Sequence, residues 1–286
     1  MSSPGWTLQA LPQMSDQQFQ QWQELLEDRT GIFLAEQRKS LLQSSLMTRM
    51  RELECTDYQE YYDQIVHGPM GRIEWAKLID RLTVQETRFF RDPEAFKYVA
   101  QFIQSQRDHI DRKNPLDIWS VGCSSGEEVY SLAMLAHEVL SQTDQQEEFM
   151  ITGTDISVPV LNKAREGLYS SRRVEVLNQH YLDTYFDEEP KGYSVKPEVK
   201  RQTCFAQVNV LEIDQSPQTQ RHIIYCQNLL IYFRRWRRQE ILNQLVDRLL
   251  PGGLLLIGMG EIVEWQHPQL TPVKGESVTA FIKRKI

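Results

Sequence analysis

The feature that most constrains this chain is an alternation between about residue 114 and residue 259. Short apolar runs there end in glycine, an acid or a polar amide, and each is followed by helical periodicity. LDIWSVG precedes an amphipathic helix from roughly Glu127 to Ser141, and FMITGTDI precedes one from Val158 to about Glu166. HIIYCQNLLIYF precedes a helix from Arg237 to Leu250, and Pro251-Gly252-Gly253 then turns into a fourth run, LLLIGM. Strands that alternate with helices imply parallel pairing with helices on both faces. Ligands of such sheets lie beyond the carboxyl ends of the strands, so the loops after these runs are where chemistry is expected.

The residues before 85 have a different pattern. Ser15 followed by Gln18 predicts a capping box, with Phe19, Trp22, Leu25 and Leu26 on one face and Gly31 as terminator. A second helix is predicted from about Glu36 to Leu53, with Leu41, Leu42, Leu46 and Met50 inward and Arg38, Lys39, Arg49 and Arg51 outward. Thr56 or Asp57 starts a third, carrying Tyr58, Tyr61, Tyr62 and Ile65, and a fourth spans Arg72 to Leu82. The predicted organisation is a helical domain over 1–85, a linker and first helix over 86–114, and the strand–helix domain over 115–286. Residues 169–207 break the alternation and read as an insertion with a small antiparallel sheet, and 142–148 as an exposed polar loop.

Composition excludes more than it identifies. A net charge of −7 argues against general nucleic-acid binding. No stretch reaches the ~20 apolar residues of a membrane span, and MSSPGWTLQALPQMSD lacks a secretory layout. Cys55, Cys123, Cys204 and Cys226 form no CxxC pair, which predicts reduced, mostly buried thiols in a cytoplasmic protein and no metal site.

Within VGCSSGEEVYS, Gly122 and Gly126 bracket a tight turn between a strand and a helix, where glycine lets the backbone approach a ligand. The spacing is not the G-x-G-x-x-G of dinucleotide folds. Glu127 and Glu128 complement the dipole of the following helix, or one of them meets a cationic ligand group. Asp155 ends the second run, 33 residues after Gly122, where an acid accepts hydrogen bonds from a ribose or caps the next helix. Asn209 closes CFAQVNV, and Asn228 follows the third run with Tyr232 four residues on. In RLTVQETRFFRDPEAF, Phe89 and Phe90 read as a hydrophobic clasp between domains, whereas Arg91 suits a carboxylate of a ligand or of an acceptor.

TVQETRFFRDPEAF, IWSVGCSSGEEVYSLAM, TDIS, CQNLLIYF and LPGGLLLIGMGE resemble, in order over about 180 residues, the blocks of CheR-type chemoreceptor glutamate methyltransferases. TGIFLAEQRKSLL extends the likeness toward the N-terminus. The resemblance implies an α/β fold: an all-helical N-terminal domain and a Rossmann-like S-adenosylmethionine domain with a small antiparallel β-subdomain. Carried over by position, it implies cofactor contacts at Gln85, Thr87, Arg91, Gly122, the Glu127-Glu128 pair, Asp155, Asn209-Val210 and Asn228-Leu229. Arg91 and Tyr232 match the arginine and tyrosine that orient methyl donor and acceptor. The product would be S-adenosylhomocysteine, and the partner the acidic helical bundle of a chemoreceptor. The insertion is a candidate surface for a receptor's C-terminal tail peptide.

The chain departs from the family pattern at Gln85 (for Asn), Gln227 (for Arg) and Val129 (for Pro). It also has Ser45 and Thr48 where the family lines its second helix with arginines. A further basic run, Arg234-Arg235-Trp236-Arg237-Arg238, is either a solvated helix start or a positive surface for an acidic partner. Two alternatives stand beside the main reading: a same-fold methyltransferase acting on a small molecule or RNA, and a non-catalytic adaptor that binds the cofactor and docks on a receptor.

Overall fold

The structure, a computed structural model, describes residues 13–83, 86–110, 113–141, 149–215, 217–273 and 277–285. Its contacts divide the chain into two units, Met1–Val84 and Gln85–Ile286. The predicted polar loop at 142–148 lies outside the described residues.

The first unit is helical. α1 (Asp16–Thr30) opens with the expected capping box: Gln18 N–H donates to the Ser15 hydroxyl, and Ser15 N–H donates to the Gln18 side chain. It closes on Gly31, whose φ of 75° fits a residue without Cβ. A 3₁₀ turn at Glu36–Arg38 separates the start of the predicted second helix from α2 (Lys39–Glu52). α3 (Tyr58–His67) is capped by Asp57, and α4 (Gly71–Leu82) completes the unit.

Two positions on α2 differ from the sequence expectation. Leu41, expected inward, is 39% exposed, and Arg49, expected outward, is 6% exposed. Arg49 is drawn in by Glu74 of α4: Nε and Nη2 donate to the two carboxylate oxygens at 2.7 and 2.6 Å. Tyr61 of α3 donates its hydroxyl to the same carboxylate at 2.8 Å. A two-pronged guanidinium–carboxylate pair with a third donor is the kind of arrangement that lets charge be buried. Burial works to raise the Glu74 pKa, but the hydrogen bonds from Arg49 and Tyr61 outweigh it and hold the carboxyl below its ordinary value.

The second unit begins with α5 (Pro93–Gln106) and alternates β1 (Leu116–Val121), α6 (Glu127–Leu140), β2 (Phe149–Asp155) and α7 (Val158–Glu166). After α7 come β3 (Leu168–Tyr169), α8 (Ser171–Val174), α9 (Gln179–Tyr185), β4 (Phe186–Glu189), β5 (Gly192–Val195) and α10 (Pro197–Lys200). β6 (Thr203–Gln207), β7 (Arg221–Cys226), α11 (Arg235–Asp247), β8 (Leu249–Ile257), β9 (Leu270–Pro272) and β10 (Thr279–Lys283) complete it. The main sheet has seven strands in the order β6-β2-β1-β7-β8-β10-β9. The first five run parallel, and β10 and β9 are antiparallel additions.

Because successive side chains point to opposite faces, Ile223 and Tyr225 of β7 enter one core with α5 and α6. Ile224 and Cys226 enter the other, with α11. β1 lies between β2 and β7, so the chain order reverses there and a crevice opens at the carboxyl ends of these strands.

Two sequence expectations are corrected in this unit. The insertion predicted over 169–207 ends earlier, because β6 pairs in parallel with β2 from Ile151↔Thr203 to Asp155↔Gln207 and belongs to the main sheet. The small sheet is β3-β5-β4. Pro251-Gly252-Gly253 is built into β8 as a bulge rather than preceding it: the β7 register jumps from Arg221↔Leu249 to Ile223↔Leu254. Phe89 packs edge-on to Tyr169 and Phe186, and Phe90 against Phe96 and Tyr181, all within the second unit. None of the described helices is long and apolar enough to cross a membrane. All four cysteines are free, with Cys55, Cys123 and Cys226 buried and Cys204 exposed.

Candidate functional site

The crevice is built from the ends of β1, β2 and β7. Gly122 and Cys123 both donate their N–H to the Thr154 carbonyl, at 2.8 and 2.9 Å, which joins the ends of β1 and β2. Gly122 has a φ of 78°, and a Cβ there would come within 3.1 Å of the Leu229 side chain. Leu229 of the loop after β7 therefore packs over the turn after β1. Ser124, also left-handed at φ 50°, donates its N–H to Asp155 Oδ2 at 2.9 Å. Its hydroxyl oxygen is buried and has no hydrogen-bond partner among the described residues.

Asp155 uses its other oxygen to accept from Ser157 N–H at 2.9 Å. The Ser157 side chain caps α7, so the capping alternative for Asp155 is replaced by a carboxylate that the turn and the following loop hold at the crevice. Gly126, at φ 93°, begins α6, and a Cβ on it would meet Ala164 at 2.8 Å.

The paired glutamates have separate surroundings. Glu127 is buried, accepting from the Ser125 hydroxyl at 2.7 Å and from Arg173 Nη1 at 2.8 Å. Arg173 also donates to the Thr87 carbonyl at 3.0 Å, so Thr87 is tied to Glu127 through α8. Glu128 accepts from the Ser120 hydroxyl at 2.7 Å. Desolvation pushes its carboxyl up to about 8, against the lowering pull of the Ser120 hydrogen bond and the Arg91 charge. A carboxyl held at that value is a strong acceptor for a cation, because a positive group restores its ionised form.

Arg91 donates to the Glu86 carbonyl at 2.7 Å. Its neighbour Asp92 accepts from Gln227 Nε2 at 3.0 Å, and Tyr225 donates to the Gln227 oxygen at 2.9 Å. The amide at 227 thus joins β7 to the start of α5. Beyond it, Asn228 is left-handed at φ 56°, and Tyr232 closes a 3₁₀ turn over Leu230–Tyr232. Asn209 accepts from Leu211 N–H at 3.2 Å and so opens the 3₁₀ stretch Val210–Gln215 after β6. Gln85 lies outside the described residues.

Gly122, Glu128, Asp155, Asn228 and Leu229 thus belong to one crevice. Two participants escaped the sequence reading: Ser124 and Arg173. Ser124 stands inside the glycine turn and was the more accessible of them; Arg173 acts across 46 residues to Glu127 and 86 to Thr87. Among the described residues no group of three His, Cys, Asp or Glu side chains is placed to hold a metal ion.

A crevice with a glycine turn, a strand-end carboxylate, a hydroxyl unpartnered among the described residues and a desolvated carboxyl that a cation would ionise fits a nucleoside ligand that carries a cationic group. The fold and this site define a Rossmann-like domain of the methyltransferase kind. The sequence pattern described as "CheR methyltransferase, SAM binding domain" matches residues 85–279, and "CheR methyltransferase, all-alpha domain" matches 17–83. A "Chemotaxis protein methyltransferase" of Escherichia coli (strain K12) is 30% identical over 94% of this chain and 92% of its own. "Chemotaxis protein methyltransferase 2" of Pseudomonas aeruginosa is 33% identical over 85% of each chain. The chain belongs to the CheR methyltransferase family, and its cofactor is S-adenosylmethionine.

Proposed function

We propose that this protein transfers the methyl group of S-adenosylmethionine to glutamate side chains of a chemoreceptor, forming methyl esters. The observation that carries this reading is the joint presence of Asp155, Glu128 and the Asn228–Tyr232 loop at one sheet edge, with Arg91 acting on Glu128. The relatives' printed name, matched over most of the chain, supports the choice of acceptor.

In this reading Asp155 accepts hydrogen bonds from the ribose hydroxyls, and the Ser124 hydroxyl finds its missing partner on the ligand. Glu128, rather than Glu127, meets the cofactor's amino group, because Glu127 is already engaged by Ser125 and Arg173. Thr87, Asn209-Val210 and Asn228-Leu229 line the remaining contacts. When bound, S-adenosylmethionine supplies a methyl group on a sulfonium that leaves readily. The acceptor carboxylate, with an ordinary pKa of about 4.3, attacks without a general base. Its oxygen gains the methyl carbon as the carbon–sulfur bond breaks, and no proton moves. What the protein adds is alignment, worth as much as ~7–11 kcal/mol in well-oriented reactions. Arg91 offsets the acceptor's charge, and Tyr232 orients its oxygen.

The free cysteines support a cytoplasmic location. β4, at one edge of the three-stranded sheet, is where a receptor tail peptide would add as a further strand.

Transfer of tritiated methyl groups from the cofactor to receptor-containing membranes tests the proposal. Base-labile label is the expected result. Base-stable label would point to another acceptor, and retained cofactor binding with no label would leave an adaptor. Tyr232→Phe should slow transfer about tenfold or more while cofactor affinity changes less than threefold; equal losses in both would remove its orienting role.

A further inference from the structure

The loop that carries Asn228 and Tyr232 leaves β7 with three successive backbone N–H groups that no strand neighbour accepts. Asn228 is left-handed at φ 56°, and Leu229 is right-handed at φ −107° and ψ −47°. Consecutive residues of opposite hand point their N–H groups into one concavity, a cradle for an anion. The anion is internal. Glu261, only 2% exposed, accepts from Asn228 N–H with one carboxylate oxygen and from Leu230 N–H at 2.8 Å with the other, and Leu229 N–H bonds to it as well. Room for the carboxylate is made by Gly258 at the end of β8, where a Cβ would lie 1.8 Å from Glu261 Oε1.

The carbonyls of the same loop are collected by another residue. Arg238 of α11 donates Nε to the Phe233 carbonyl at 2.8 Å and Nη2 toward the Ile231 carbonyl at 3.5 Å. Its Nη1 donates to the Glu261 carbonyl at 2.8 Å. Tyr232 therefore lies between two carbonyls held by Arg238, and its turn grows from three amides held by Glu261. Arg238 is also joined to Glu261 itself, so the two holders form one unit.

We propose that Glu261 and Arg238 are positioning residues that clamp the 228–233 segment in the geometry in which Tyr232 orients the methyl acceptor. Neither has a free edge for substrate: the Glu261 carboxylate is occupied by backbone N–H groups, and Arg238 by backbone carbonyls. The role accounts for an acid and an arginine that motif reading leaves without function. It also removes Arg238 from any surface offered to an acidic partner. The kinetic part rests on the reading of Tyr232 given above; the clamp itself does not.

The test uses the full-length protein. Glu261→Gln presents an NH₂ donor to backbone donors, so amide exchange in the peptide spanning 228–233 should accelerate at least tenfold, with thermal unfolding confirming a folded chain. Its kcat should fall on the order of 100-fold, the scale of an ångström-sized misplacement. In a Tyr232→Phe background the same change should lower kcat less than about threefold, because a residue acting through Tyr232 loses its effect once the hydroxyl is gone. Arg238→Gln, which releases the loop from its other side, should accelerate the same exchange, and it decides the matter if Glu261→Gln does not fold.

Exchange at 228–233 that stays as slow as in the wild type, in a folded variant, overturns the clamp whatever the kinetics show. Equal kcat losses in the two backgrounds overturn its action through Tyr232. If Tyr232→Phe alone proves silent, the acceptor-orienting reading of that tyrosine fails, and faster exchange in the clamp variants still supports the clamp.

Discussion

Glu128 should make cofactor binding release a proton. Desolvation pushes its carboxyl up to about 8, so at pH 7 about nine in ten free molecules carry that proton. An ammonium group brought against the carboxyl favours the ionised form, and nearly one proton per cofactor should leave on binding. The ionised fraction rises close to tenfold between pH 6 and pH 7, so affinity should tighten by about that factor, ~1.3 kcal/mol, across a range where an α-amino group stays largely charged. Titration calorimetry in buffers of different ionisation enthalpy reads the proton directly. Glu128→Gln should abolish both the release and the slope. Binding without proton release at pH 7, or a slope that survives in Glu128→Gln, would refute the assignment. Stability without cofactor has the opposite sign. Between the ordinary value of 4.5 and about 8 the unfolded chain has lost this proton and the folded chain has not. The Glu128 contribution to stability is thus complete below 4.5 and declines as pH rises toward 8.

Other consequences follow from groups already described. Glu74→Ala leaves the buried Arg49 with only the exposed Glu52 as partner and the Tyr61 hydroxyl without its acceptor; the helical unit should lose about 3 kcal/mol in denaturant unfolding, the low end for a broken buried pair, and a loss below about 1 kcal/mol would mean the cluster relaxes into water. Gly122→Ala forces a side chain onto a φ of 78° and against Leu229, with a strain of about 1–2 kcal/mol. Calorimetry should show cofactor affinity reduced about tenfold, and unchanged affinity would place the ligand elsewhere.

How much of this was legible in the sequence depended on the range of the interaction. Capping and periodicity act over a few residues, so α1, with Ser15, Gln18 and Gly31, was readable in full. The strand ends with Gly122, Asp155 and Asn228 were readable for the same reason, since turn chemistry is local. The Pro-Gly-Gly bulge in β8 was not, because it is defined by its partner strand: a Cβ on Gly253 would approach the His222 carbonyl at 2.9 Å. The end of the insertion was hidden likewise, because TCFAQ becomes a main-sheet strand only by pairing with β2.

Long-range contacts also change what the basic residues mean. Counts of arginines along α2, and separately at the start of α11, suggest a positive surface on each unit for an acidic partner. Burial removes Arg49, which belongs to Glu74, and the loop clamp removes Arg238. Arg235 is paired with Glu264, Arg237 with Glu240, and Lys39 with Asp16. Exposed ion pairs of this kind are worth ~1 kcal/mol or less, so an incoming carboxylate can displace them, whereas the buried pair cannot be recruited without unfolding its surroundings. On the helical unit alone, a chemoreceptor helix would therefore be met by Arg38, Lys39 and Arg51, with the Lys39 pair exchangeable. Its recognition should weaken steeply with salt, while the cofactor crevice, whose charged groups are half-buried and held by hydrogen bonds, should respond less.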